Sequence, residues 1–185
     1  MEKQLHKKKN LFIISGLWSG ARDFFLEGDS VFSGMPAFSN VFLRLLESDR
    51  VNKIYFFLLL PKEDVDKINI ATKYKNKIEL RGFSFNPKNK LISLLLFIKV
   101  IVNSYFICKK NKVNKIAGFG PLSGLTAIIG KLVGVPDSRR LYGTFLINEI
   151  NLSPVRLFFK HPLEYLTLKL KGKCLLITND GTKGN

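Results

Sequence analysis

The chain is poor in the side chains that usually carry proton transfer and metal binding. It has two histidines, two cysteines, two methionines and one tryptophan, and only 14 Asp and Glu against 30 Lys and Arg. Two cysteines exclude a disulfide-dense scaffold, and the apolar runs around Cys108 and Cys174 predict reduced, buried thiols of a cytoplasmic protein. No group of His and Cys has metal-ligand spacing, and neither G-x-S-x-G nor a Walker motif occurs. These absences count against structural zinc, elbow-type serine hydrolysis and P-loop chemistry. The glycines do not fall at G-x-G-x-x-G spacing, which disfavours a nicotinamide-dependent oxidoreductase. His6 lies in a lysine-rich leader and is expected to be exposed. His161 precedes Pro162 and reads as a helix boundary. The basic start followed by Leu11 to Ile14 imitates a signal peptide, but the apolar part is too short and lacks a small-x-small cleavage pattern.

What the chain does have is apolar bulk and positive charge. A hydrophobic fraction of 46%, a mean hydropathy of +0.09 and 185 residues suit one domain with a sizeable core. A net charge of +16 attracts polyanions: nucleic acid, anionic lipid headgroups or a phosphorylated substrate. Nucleic acid is disfavoured among these, because the aromatic residues lie inside apolar strands and helices and offer no stacking platform.

The apolar runs set the order of elements. Asn10 to Ser15 reads as a strand covered on both faces, followed by a long loop through Gly16, Gly20, Gly28 and Gly34. A helix then opens near Met35-Pro36, with Phe38, Val41, Phe42, Leu45 and Leu46 at helical spacing. Asn52 to Leu60 is a second strand, Lys62 to Lys75 a short charged helix or loop, and Lys77 to Phe85 a third strand. Leu91 to Cys108 is the longest apolar segment and just reaches the length of a membrane span. Lys99 at its middle would cost about 2.5 to 3.5 kcal/mol there, which favours a core helix packed on a sheet, with a helix lying on a membrane as the alternative. Lys115 to Phe119 is strand four and Leu122 to Val133 a helix. Arg140 to Phe145 is strand five. Pro154 to Lys171 is helical and divided at Pro162, with Arg156, Lys160, Glu164, Thr167 and Lys171 on one polar sector. Cys174 to Thr178 is strand six. This order predicts an α/β, Rossmann-like fold: a mostly parallel sheet with helices on both faces.

A parallel sheet gathers its strand exits at one edge, where α/β proteins hold ligands. The loops expected there are Gly16 to Gly34, Phe119 to Gly124, Gly143 to Asn148 and Thr178 to Thr182. The candidate substrate-binding residues are Gly16, Gly20, Gly34, Gly120, Ser123, Gly143, Thr144, Asn179, Asp180 and Thr182. Glycines in such loops let a ligand approach the backbone, and helix N-termini favour anions, so a phosphate-bearing ligand suits this edge. Simple turn formation is the competing reading for any one of these glycines, and Asn179-Asp180-Gly181 has turn chemistry. Asp23, Glu27 and Asp29 in the first loop suit a hydroxyl-bearing substrate. No residue stands out as a general base.

Taken together, these residues resemble the amino-terminal half of GT-B glycosyltransferases of the family 4-like kind. The resemblance rests on Leu11 to Gly34, Ser33-Gly34-Met35-Pro36, Gly118-Phe119-Gly120 and Gly124 to Pro136. It is strongest at Arg140-Leu141-Tyr142-Gly143-Thr144-Phe145-Leu146 and Thr178-Asn179-Asp180-Gly181-Thr182. It implies a two-domain enzyme in which this half binds a sugar or lipid-linked acceptor. The other half would bind the nucleotide-sugar donor with paired glutamates, in a retaining transfer that needs no cofactor and no metal at the chemical step. The family's frequent histidine near the fifth strand exit is replaced here by Thr144 and Phe145. A single amino-terminal, acceptor-side domain over residues 1–185 is therefore expected, inactive alone, with the donor half supplied by a partner subunit or lost from a truncated product. Segments Leu91 to Lys110 or Pro154 to Lys171 would hold such a protein at the inner face of the cell membrane. A non-enzymatic basic α/β module docking on an anionic membrane or another polyanion is the alternative.

Overall fold

The computed structural model describes residues 8–18, 21–29, 36–86, 90–142 and 151–178, with backbone alone at 36–38, 90, 142 and 178. Among the described residues six strands form one sheet: β1 (Lys9–Gly16), β2 (Val51–Leu60), β3 (Ile78–Ser84), β4 (Lys115–Phe119), β5 (Asp137–Tyr142) and β6 (Cys174–Thr178). Their spatial order is β3-β2-β1-β4-β5-β6. Every pairing is parallel; Leu11 of β1, for example, sits opposite Ile54 on one side and Lys115 on the other. The expected α/β, Rossmann-like sheet is therefore present, and is parallel throughout.

The apolar runs are unbroken because both faces of the central strands are covered. Ile13, Ile54, Phe56, Leu58 and Leu60 pack into one cluster, with Phe24, Phe25 and Phe42. Phe12, Ile14, Tyr55, Phe57 and Leu59 pack into the other, with Val100, Ile107, Leu125 and Ile129. The first layer holds α1 (Pro36–Glu47), α2 (Lys62–Val65) and a π-helical turn over Asp23–Glu27. The second holds α3 (Lys90–Lys110), α4 (Ser123–Val133) and the helix pair α5 (Pro154–Lys160) and α6 (Pro162–Lys169). Ser153 caps α5 by accepting from the Arg156 amide, and the expected break at Pro162 occurs, with His161 between the helices.

Several expectations need correction. Strand five begins at Asp137, three residues earlier than the apolar pattern indicates, because Arg139 is buried and paired; residues 143–145 lie outside the described set. The polar sector of Pro154 to Lys171 does not stay in solvent as a unit: Glu164 and Thr167 are buried, while Arg156 and Lys160 are exposed. Helix α3 covers the sheet with a narrow stripe, Val100, Ser104, Ile107 and Cys108, and leaves most of its apolar side chains outside. Cys108 is buried as expected, but Cys174 is exposed. Burial pushes the Cys108 thiol up to about 12, so the thiolate that reacts with alkylating agents is scarce there. Iodoacetamide at neutral pH is therefore expected to modify the native chain at Cys174 alone, with Cys108 reacting only after denaturation; mass spectrometry of the two peptides reads this directly.

One ion-pair cluster ties the loop after β1 to the start of α2. Arg22 Nη1 and Nη2 donate to the two Asp64 carboxylate oxygens at 2.8 and 2.7 Å, and Lys67 Nζ donates to Asp64 Oδ1 at 3.3 Å. The Arg22 hydrogen bonds hold the Asp64 carboxyl below the usual carboxylate range against the opposing pull of burial, with Lys67 adding to the effect. A carboxyl depressed in the folded state stabilises the fold above its unfolded pKa of about 4, and that contribution disappears as pH falls through the lower folded value. Melting temperature is expected to drop between pH 5 and strongly acidic conditions in the native chain, and to drop less over that range in Asp64→Asn.

Candidate functional site

All six strands point the same way, so their carboxyl ends share one edge. The chain leaves β1 toward the first helical layer, through Leu17, Trp18 and the turn Asp23–Glu27. It leaves β4 toward the second layer, through a 3-10 turn at Gly120–Leu122 into α4. Adjacent strands whose exits diverge to opposite faces leave a crevice between them, and β1 and β4 are the pair at which this sheet reverses direction. Gly16 and Gly120 stand at those two exits.

Gly16 ends β1 opposite Leu59. A Cβ there would meet Leu59 O at 3.7 Å and Leu122 Cδ1 at 3.9 Å, both ordinary contacts, so packing does not demand glycine at this position. Gly120 differs: its φ is +63°, a left-handed conformation that glycine adopts at least cost, and it is buried. Ser123 is fully buried; its hydroxyl bonds Gly120 O at 2.7 Å and lies 3.0 Å from Thr167 Oγ1. The hydroxyl is thus taken up in joining the β4 exit to α6, and Ser123 shapes the crevice wall rather than facing a ligand. Gly118, inside β4, lets α4 start close to the strand: a Cβ would come within 2.6 Å of the Thr126 side chain and 2.8 Å of Ser123 Cα.

The wall formed by the first loop is rigidly backed. Trp18 packs edge-on against Phe25 at 5.5 Å and Phe42 at 6.2 Å, and Phe25 lies 5.0 Å from Phe56. Asp23, Glu27 and Asp29 sit on the π-helical turn and its end; the Asp29 amide donates to Asp23 O, and Phe25 O accepts from the Asn69 amide. Gly28 closes the turn at φ +77° against Asn69. Arg22, half exposed and bidentate to Asp64 just after the β2 exit, is a cation that sequence reasoning missed. Its partner lies 42 residues away, and no local spacing announces such a pair.

The structure thus brings Gly16, Gly120 and Ser123 together around the β1–β4 exits. Gly20, Gly34, Gly143, Thr144, Asn179, Asp180 and Thr182 lie outside the described residues, although β5 and β6 end at Tyr142 and Thr178 on the same edge. Among the described residues no group of three His, Cys, Asp or Glu could hold a metal ion. An apolar hollow of about 250 Å³ lies over α5 and α6, lined by Leu152, Pro154, Leu157, Tyr165, Leu168 and Lys169.

No protein-family model matches the chain, and no curated protein matches it. Among solved structures, the chain is similar to that of Acinetobacter baumannii MurG, with a TM-score of 0.41 and 13% sequence identity over 95% of this chain and 47% of that one. The chain spans about half the length of MurG, and its assignment as Rossmann-like rests on its own strand order and register.

Proposed function

We propose that this chain is the acceptor-side wall of a GT-B glycosyltransferase, in which a sugar passes from a nucleotide-sugar to a sugar or lipid-linked acceptor. The observation that carries the reading is the reversal of strand order between β1 and β4, with Gly16 at the β1 exit in a place where the fold itself does not require glycine. A glycine at such an exit leaves the backbone open to close approach by a ligand. The YGTFL and TNDGT resemblances support the same edge, since they follow β5 and β6. Family 4-like membership rests on those sequence resemblances.

In this reading a second α/β domain or a partner subunit holds the donor and closes the crevice from the opposite side. Sugar transfer from a nucleoside diphosphate builds negative charge on the leaving phosphate, which backbone amides, helix N-termini and cations stabilise. Arg22, in the loop after β1 and oriented by Asp64, is the cation this reading assigns to that role. The exposed strand β6, with Leu175, Leu176 and Ile177 all at least 41% accessible, offers an apolar surface for such a second domain. Without that domain the chain is expected to bind acceptor without transferring sugar.

The test is a titration of the isotopically labelled chain with polyprenyl-diphosphate-linked sugars and free oligosaccharides, followed by amide chemical shifts. Changes concentrated at Gly16, Leu17 and Gly120 are expected. Gly16→Ala should leave the melting temperature within a few degrees, because the space exists, yet weaken acceptor binding about tenfold or more, roughly 1.4 kcal/mol. No shifts at millimolar acceptor, or tight binding of a nicotinamide dinucleotide instead, would remove the assignment.

A further inference from the structure

The two helical layers have opposite surface chemistry. On the layer of α1 and α2, the single exposed large hydrophobic residue among those described is Val41, and Glu27, Glu47, Glu63 and Asp66 mix with lysines and Arg44. On the layer of α3, α4, α5 and α6 the exposed apolar side chains run along α3 and α5. Leu91, Leu94, Leu95, Ile98, Val102 and Phe106 recur at three- and four-residue steps on the outside of α3, with Leu91 68% and Phe106 65% accessible. Val155, Phe158 and Phe159 continue the pattern on α5, with Phe159 75% accessible.

Among the described residues, the exposed charge on that layer's helices has one sign. The sequence has no Asp or Glu between Glu79 and Asp137, and the only acid in the layer's helices is Glu164, which is buried. Lys99, Lys109, Lys110, Lys131, Arg156 and Lys160 are all exposed. A helix apolar on its outer face, with cations and no anions beside it, is unlike a solvated helix. It is complementary to a surface with an apolar interior and anionic headgroups.

We infer that this helical layer is a membrane-docking face, with α3 lying in the headgroup region of an anionic bilayer, so that the protein is peripheral. Helix α3 is long and apolar enough to cross a membrane by composition, at a mean hydropathy of 2.2 over its best window. Its inner stripe nevertheless packs on β1 and β2 through Val100, Ile107 and Cys108. Asn10 Nδ2 also bonds Asn111 O at 2.7 Å just past its end. Spanning would strip that stripe from the sheet, whereas lying flat keeps it and buries the outer face. The lysines match the negative potential of a cytoplasmic leaflet. This inference does not depend on the sugar-transfer reading.

The experiment is flotation of the purified chain with vesicles of phosphatidylcholine alone or with about a third phosphatidylglycerol. The chain is expected to float with the anionic vesicles and to release partly at high salt. Leu95→Glu/Ile98→Glu should lower partition at least a hundredfold with unchanged circular dichroism, since both side chains are already outside the core. Lys99→Gln/Lys110→Gln should lower it about thirtyfold on anionic vesicles only. Val41→Glu, on the other layer, should change nothing. Absence of flotation at low salt would overturn the inference, as would equal loss with Val41→Glu. A dimer broken by Leu95→Glu that forms in place of vesicle binding would also overturn it and make this face a contact between copies of the chain.

Discussion

Arg139→Ala is expected to destabilise the fold by about 3 to 5 kcal/mol, the usual result of removing one partner from a buried ion pair. Both side chains are buried, Arg139 at 2% and Asp137 at 8% accessibility. The Arg139 Nε donates to Asp137 Oδ2, and its Nη1 donates to the Thr167 and Leu170 carbonyls at the end of α6, both at 2.6 Å. Gly172 closes over the guanidinium; a Cβ there would approach Arg139 Cζ at 2.9 Å and Asp137 Oδ2 at 3.0 Å. One cation therefore neutralises a buried carboxylate, satisfies two helix-terminal carbonyls and holds α6 to β5. Alanine leaves all three uncompensated at once. Against a total stability of roughly 5 to 15 kcal/mol, this is a large fraction, and the melting temperature should fall by about 10 °C or more. Urea unfolding measures it. Combining Arg139→Met with Asp137→Leu should recover part of the loss, because it removes both charges. A loss below about 1 kcal/mol for Arg139→Ala would mean that solvent reaches the pair.

Gly124→Ala carries the second large effect. In an ordinary helix interior this change stabilises by about 1 kcal/mol, since alanine is the better helix former. Here a Cβ would come within 3.0 Å of Leu163 C and Cα, and closer still to Leu163 O, all of them backbone atoms that cannot swing aside. Helices α4 and α6 must separate, loosening the Ser123–Thr167 hydroxyl contact with them. Overpacking of this kind costs about 1 to 3 kcal/mol, and the reversal of sign is the diagnostic result. Gly16→Ala, where the nearest atoms stand at 3.7 and 3.9 Å, is the matched control with little expected change. Equal stability of Gly124→Ala and the native chain would show that the two helices do not meet through this glycine.

Much of the candidate site was legible because strand exits follow local patterns. Gly16 and Gly120 stand where unbroken apolar runs stop, and an all-parallel sheet sends such stops to one edge. Ser123 was legible as a residue near that edge but not in its role, since its bond partner Thr167 lies 44 residues on. Arg22 was missed for the same reason, and so was the internal use of Arg139, whose polar neighbourhood made the start of β5 look like loop.

From the residues alone follow the six strands, the class of sheet and the break at Pro162, because each depends on neighbours a few positions apart: apolar runs, helical spacing, a missing amide. Tertiary structure alone decided which charges are buried, which helix faces stay outside and how closely the Leu163 backbone approaches Gly124. Those outcomes depend on what another segment brings to the same place. Leu91 and Val100 are equally apolar in the sequence; only the sheet, by covering one and leaving the other, makes them different.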